Sequence, residues 1–189
     1  VGSSYHGKGV FSKNGRRFAQ RTYVGFQMFD VPSRGQRFAS TARDSERNVL
    51  SPQSIQFSAS EQSLYIGLNN QNIVEVSAET GREIQRTSGH QYVHVIGDDL
   101  WSAQSSQLYR HSRRFLIREA RNMAGYWTDA LVDRGGVYLM RDGLFNAWSH
   151  EQTGPTSSSL RPSYIALSAD NSKLAGTSGG RVMIRPFWR

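Results

Sequence analysis

Two groups of arginines are the residues of this chain whose types and spacing are best suited to chemistry. Arg16, Arg17 and Arg21 lie beside Phe18 and Tyr23, while Arg110, Arg113, Arg114, Arg118 and Arg121 fall within 12 residues that also hold Tyr109 and Phe115. A guanidinium grips a phosphate or carboxylate through two parallel hydrogen bonds, and a neighbouring aromatic ring can stack on a base. Strand alternation would divide each group between two faces. The same residues therefore also read as a solvated surface or as a contact for an acidic protein.

Other constellations carry less. His90 and His94 are four apart and would share a strand face, with Asp98 and Asp99 close behind. Tetrahedral coordination needs at least three converging ligands, and the two aspartates sit in a turn. Asp129, Asp133 and Asp142 read as strand-entrance, turn and hairpin residues rather than as an acid–base pair. The abundant serines are read as devoid of a Gly-x-Ser-x-Gly nucleophile-elbow motif, so no nucleophile is expected among them. The expectation is a protein that is not an enzyme, with no catalytic residue, no metal ligand and no cofactor.

The chain has 189 residues, enough for one substantial core, and a formal net charge of +8. The charge is sided: +6 over residues 1–47, −4 over 48–105, +4 over 106–126 and +2 over 127–189. Two basic sectors flank an acidic one and would steer anionic partners toward particular parts of the surface. Twenty of the 23 basic residues are arginine. There is no cysteine, so packing and strand pairing must supply the stability. No segment resembles a membrane-spanning helix or a signal peptide, and no Asn-x-Ser/Thr acceptor occurs. These features lead to the expectation of an intracellular, cytoplasmic protein without membrane insertion. The chain begins at Val1, which suits a processed product or a piece of something larger.

The elements that must position these residues repeat. A hairpin turn, four or five residues of strand and a bulky or apolar stop recur, most clearly as Arg141-Asp142-Gly143-Leu144-Phe145-Asn146-Ala147-Trp148. Aligned on the second turn residue, the copies fall at Gly25, Gln71, Ser106, Gly143 and Gly180, in steps of 46, 35, 37 and 37. A period near 40 residues predicts an all-β chain, a β-propeller of about five four-stranded antiparallel blades. Their spans are 8–47, 53–88, 90–121, 127–154 and 162–189, forming a single domain over 1–189. The alternative is a β-sandwich of evenly spaced strands. The stretch from Arg113 to Arg121 is compatible with a short helix, but the repeat register makes it an outer strand.

Several motifs carry a resemblance. Phe11-Ser12-Lys13-Asn14-Gly15 and Phe57-Ser58-Ala59-Ser60-Glu61 look like a Phe-Ser-Pro-Asp-Gly signature. Gly89-His90 stands where a blade opens, Asp142-Gly143 precedes Trp148, and Phe29-Asp30 resembles a closing Trp-Asp. The chain resembles the WD-repeat propeller family over nearly its whole length, with degenerate repeats. The resemblance implies two closures. Either Val1–Tyr5 supplies the strand missing from the last blade, or the chain is a portion of a larger propeller.

It also implies a non-catalytic scaffold for protein–protein interaction, a subunit of a larger assembly. Trp101, Tyr126, Trp127 and Phe145 are candidate anchors for such contacts, since aromatic residues and arginine carry much interface energy. One alternative is an accessory RNA- or nucleic-acid-binding propeller using the eight arginines. Another is a small-ligand or glycan-binding propeller with pockets between blades.

Overall fold

Alternation of apolar and polar residues, broken by glycine, asparagine and serine turns, drives the described chain into strands throughout. The computed structural model describes residues 9–88 and, beyond them, 92–96, 99–104, 107–112, 115–122, 129–133, 136–140, 144–146, 164–167, 173–178 and 181–186. Among these there are eighteen strands and no helix, hence none long and apolar enough to cross a membrane.

The first sheet holds β1 (Gly9–Phe11), β2 (Arg17–Arg21), β3 (Gly25–Asp30) and β4 (Gly35–Thr41). The second holds β5 (Pro52–Phe57), β6 (Ser63–Leu68), β7 (Asn72–Ser77) and β8 (Glu83–Ser88). The third holds β9 (Tyr92–Ile96), β10 (Asp99–Gln104), β11 (Gln107–His111) and β12 (Ile117–Asn122). Two three-stranded sheets follow: β13 (Asp129–Asp133), β14 (Gly136–Met140) and β15 (Leu144–Asn146), then β16 (Tyr164–Leu167), β17 (Lys173–Ser178) and β18 (Arg181–Pro186). In every sheet the strands lie side by side in chain order, as antiparallel meanders. The stretch around Arg118 is thus a strand, β12, at the edge of its sheet. Val1–Tyr5, Gly89-His90, Asp142-Gly143 and Trp148 lie outside the described residues.

The chain divides into two compact units, residues 1–104 with 109–120, and residues 105–108 with 121–189. In the first unit the second sheet is covered on both faces, because its strands alternate between two cores. Leu64, Ile66 and Leu68 of β6 pack with Val74 and Val76 against Ala19, Phe26 and Met28 of the first sheet. Tyr65 and Ile73 point the other way and pack with Val93, Leu100 and Phe115. This is why all six residues of β6 are buried. The Val93 amide also donates to Ser54 Oγ at 2.9 Å.

The two Phe-Ser turns are built alike. Ser12 N donates to Arg17 O, and Ser58 N to Ser63 O, both at 2.9 Å. Each serine hydroxyl accepts from the amide five residues on, Arg17 N at 2.9 Å and Ser63 N at 3.1 Å. Gly15 and Glu61, the fourth residue of each turn counting its serine as the first, both take a left-handed backbone, with φ of 70° and 59°. Only glycine adopts that region without steric cost, so Glu61 carries local strain that Gly15 does not.

Candidate functional site

Three of the candidate arginines, Arg17, Arg21 and Arg110, are bound to their own protein. Arg17 and Arg21 share the face of β2 that carries buried Ala19, so alternation aims both toward the second sheet. Arg17 donates to Glu61 O at 2.7 Å, faces the Glu61 carboxylate at 3.7 Å and lies 5.5 Å from the centre of the Phe57 ring. Arg21 donates from Nη1 to Pro52 O at 3.0 Å and Gln53 O at 2.6 Å, while its buried Nε has no partner among the described residues. These two side chains pin the first sheet to β5 and to the turn after it. Arg110 donates to Asp99 at 2.8 Å and stands over the Trp101 ring. Arg16 and Arg118 are exposed, and Arg113 and Arg114 lie outside the described residues, as does the side chain of Arg121.

The candidate aromatics divide in the same way. Phe115 is buried against Tyr65, ring centres 5.8 Å apart, and Trp101 is buried too. Both are core residues rather than exposed anchors. Tyr126 and Trp127 lie outside the described residues, as does the side chain of Phe145. Of the metal candidates, His90 and Asp98 also lie outside them, as does the His94 side chain, and Asp99 is held by Arg110.

A cleft opens between the first two sheets, with a volume of about 750 Å³. Its inner wall is apolar, formed by Phe26, Ile66, Leu68, Val74 and Val76. Its mouth is charged, formed by Arg43, Asp44 and Glu46 from the β4–β5 connection and by Glu83 and Arg86 of β8. The connection is tied down at many points. Asp44 Oδ1 accepts from the amides of Glu46 at 2.9 Å and Asn48 at 2.8 Å, and Oδ2 accepts from the Asn48 side chain at 3.0 Å. Arg43 donates to Arg47 O at 2.7 Å, and Leu50 N to Ala42 O at 2.9 Å. Arg86 grips Glu83 through two bonds of 3.0 and 2.7 Å, and reaches Arg43 O at 2.8 Å. The spacing Asp44-x-x-x-Asn48 was the available signal, since an Asp that binds amides two and four residues on organises a loop.

No protein-family model and no curated protein matches this chain. Its chemistry must be read from the side chains alone.

The Asn48 side chain, with the loop amides and nearby Arg86, holds the Asp44 carboxyl below its usual range. A depressed pKa contributes stability that is present above the ordinary carboxylate value and is lost as pH falls through the lowered one. The amide resonances of Glu46 and Asn48 should therefore titrate together, with a midpoint below about pH 4 in an NMR titration. A midpoint at or above that value would contradict the loop anchor. Asp30, whose carboxyl is lowered chiefly by the Ser33 amide and hydroxyl, should behave the same way at Ser33.

Two serine arrangements bear on nucleophilic chemistry. Ser102 Oγ and His111 Nε2 lie 2.7 Å apart, and both residues are 0% exposed. A nucleophile needs substrate access, so this pair is placed to brace β10 against β11. Gly176-Thr177-Ser178-Gly179-Gly180 matches Gly-x-Ser-x-Gly letter for letter, contrary to the reading of the serines as devoid of motif. The elbow chemistry requires a strand-to-helix turn. Ser178 instead ends β17 and pairs with Arg181 across a hairpin to β18, so it lacks that setting.

Proposed function

We propose that the sheets are blades of a WD-repeat-like β-propeller and that the protein is a non-catalytic scaffold for protein–protein interaction. The observation that carries this is the series in the first unit: four-stranded meanders of one order, stacked face to face, with the Phe-Ser turn built alike in two successive copies. A period of one supersecondary unit that cannot bury both faces alone is the physical signature of a repeat fold. Such a scaffold presents rigid turns and clefts rather than reacting groups.

Tagged protein incubated with cell extract, with and without nuclease, tests the reading. Protein partners retained after nuclease are expected. Recovery of nothing but nuclease-sensitive material would replace it with the nucleic-acid reading. That second reading rests on exposed Arg16 and Arg118, and Arg16→Ala with Arg118→Ala should then weaken RNA binding and flatten its salt dependence.

A further inference from the structure

The geometry points to the cleft between the first two sheets as a docking groove for an extended peptide of a partner protein, one carrying an apolar side chain beside a basic one. This rests on the scaffold reading and names its contact. The volume of about 750 Å³ lies within the range of clefts that enclose compact ligands. The wall made by Phe26, Ile66 and Val74 would receive the apolar side chain.

Two further observations favour a peptide. The cleft is bordered by Ser40 and Thr41 of β4 and by Glu83 and Arg86 of β8. Both strands are last in their sheets, so the outer edge of each lacks a strand partner among the described residues. An unpaired strand edge offers N–H and C=O groups to an extended chain, while alternate side chains of that chain enter the pocket beside it. The β4–β5 connection forming the mouth is already fixed by the Asp44 bonds, so little conformational entropy is lost on binding.

Charge selects the neighbouring residue. The mouth holds Asp44, Glu46 and Glu83 against Arg43 and Arg86, a balance of −1 on a chain of +8. Arg86 is matched by Glu83. Glu46 meets no cation among the described residues, and its carboxylate has only the Asn48 amide at 3.3 Å. A lysine or arginine of the peptide would complete it. Arg43, with one N–H used on Arg47 O, retains donors for peptide carbonyls.

The test uses a labelled, capped peptide with one leucine between two lysines, and a twin with glutamates in place of the lysines. Fluorescence anisotropy should show the lysine peptide binding the wild-type chain. Glu46→Lys should weaken it about tenfold and favour the glutamate twin, and Thr41→Trp, filling the mouth, should abolish both. Both positions are exposed, and circular dichroism should confirm an unchanged fold. The groove is overturned by absence of binding, by equal binding of the two peptides, or by indifference to both substitutions. Equal affinity for N-acetyl-leucine amide would make the cleft a small-molecule pocket instead. A partner captured from extract whose retention survives both substitutions would leave the scaffold standing and sink the groove. Peptide binding as expected, with no protein ever captured, would sink the scaffold alone.

Discussion

His111→Ala should lower the free energy of unfolding by about 2–4 kcal/mol, the largest loss expected from a single polar position. The imidazole is fully buried and bonds Ser102 Oγ at 2.7 Å. Removing it leaves a cavity, and it strands a buried hydroxyl that water cannot reach. The two costs add because both follow from the same loss of atoms. Ser102→Ala should cost less, since it removes a smaller group and leaves only the ring nitrogen unsatisfied. The double variant Ser102→Ala with His111→Phe should recover part of the loss, because an apolar pair of similar shape leaves no unmet hydrogen bond between these two positions. Only the weaker contact of His111 Nδ1 with Phe115 O at 3.5 Å is given up. Urea unfolding of the four proteins measures this directly. A loss below about 1 kcal/mol for His111→Ala would show that the pair is not a brace.

Gly25→Ala should be nearly as damaging, at about 3 kcal/mol, for a different reason. A Cβ on Gly25 would lie 1.9 Å from Ser40 O and 2.9 Å from Thr41 Cα. Those are backbone atoms of the paired strand β4, and they can yield only by breaking the β3–β4 ladder. Two other glycines calibrate the effect. Gly15 has open space around it but a φ of +70°, so alanine there should cost about 1 kcal/mol through backbone strain alone. Gly35 meets only the Ser33 hydroxyl at 3.2 Å, and its substitution should cost less still. Thermal unfolding should rank the variants Gly25, Gly15, Gly35. Because Ser40 and Thr41 border the cleft, Gly25→Ala should also weaken the peptide binding proposed above. A neutral Gly25→Ala would mean that the two strands can separate at no cost there.

The strands were legible because their signal is local. Ile55 and Phe57 alternate with polar residues and are buried in β5, as is Pro52 on the far side of a register irregularity. The Phe-Ser turns were legible because a serine hydroxyl caps the amide five residues on whatever packs around it. Even the edge strand β12 followed from the repeat register alone. The arginines were not legible as they stand. Nothing in the order Arg16-Arg17-Phe18-Ala19-Gln20-Arg21 says that a second sheet lies over the Ala19 face, with the carbonyls of Pro52 and Gln53 waiting for Arg21. Nor does Tyr109-Arg110-His111 announce that Asp99 will take the guanidinium.

The sequence by itself determined the class of structure: β-strands in meanders, their turns, and the register that sets each residue on one face or the other. These are consequences of neighbours along the chain and of a period of two. Only the tertiary structure decided which faces became cores and which arginines were spent on holding sheets together. It alone placed Ser102 against His111 and opened a charged cleft between two sheets. Those outcomes depend on groups brought together from distant positions in the chain, such as Arg17 and Glu61, 44 residues apart. Distance through space, which the linear order does not carry, sets the strength of every such contact.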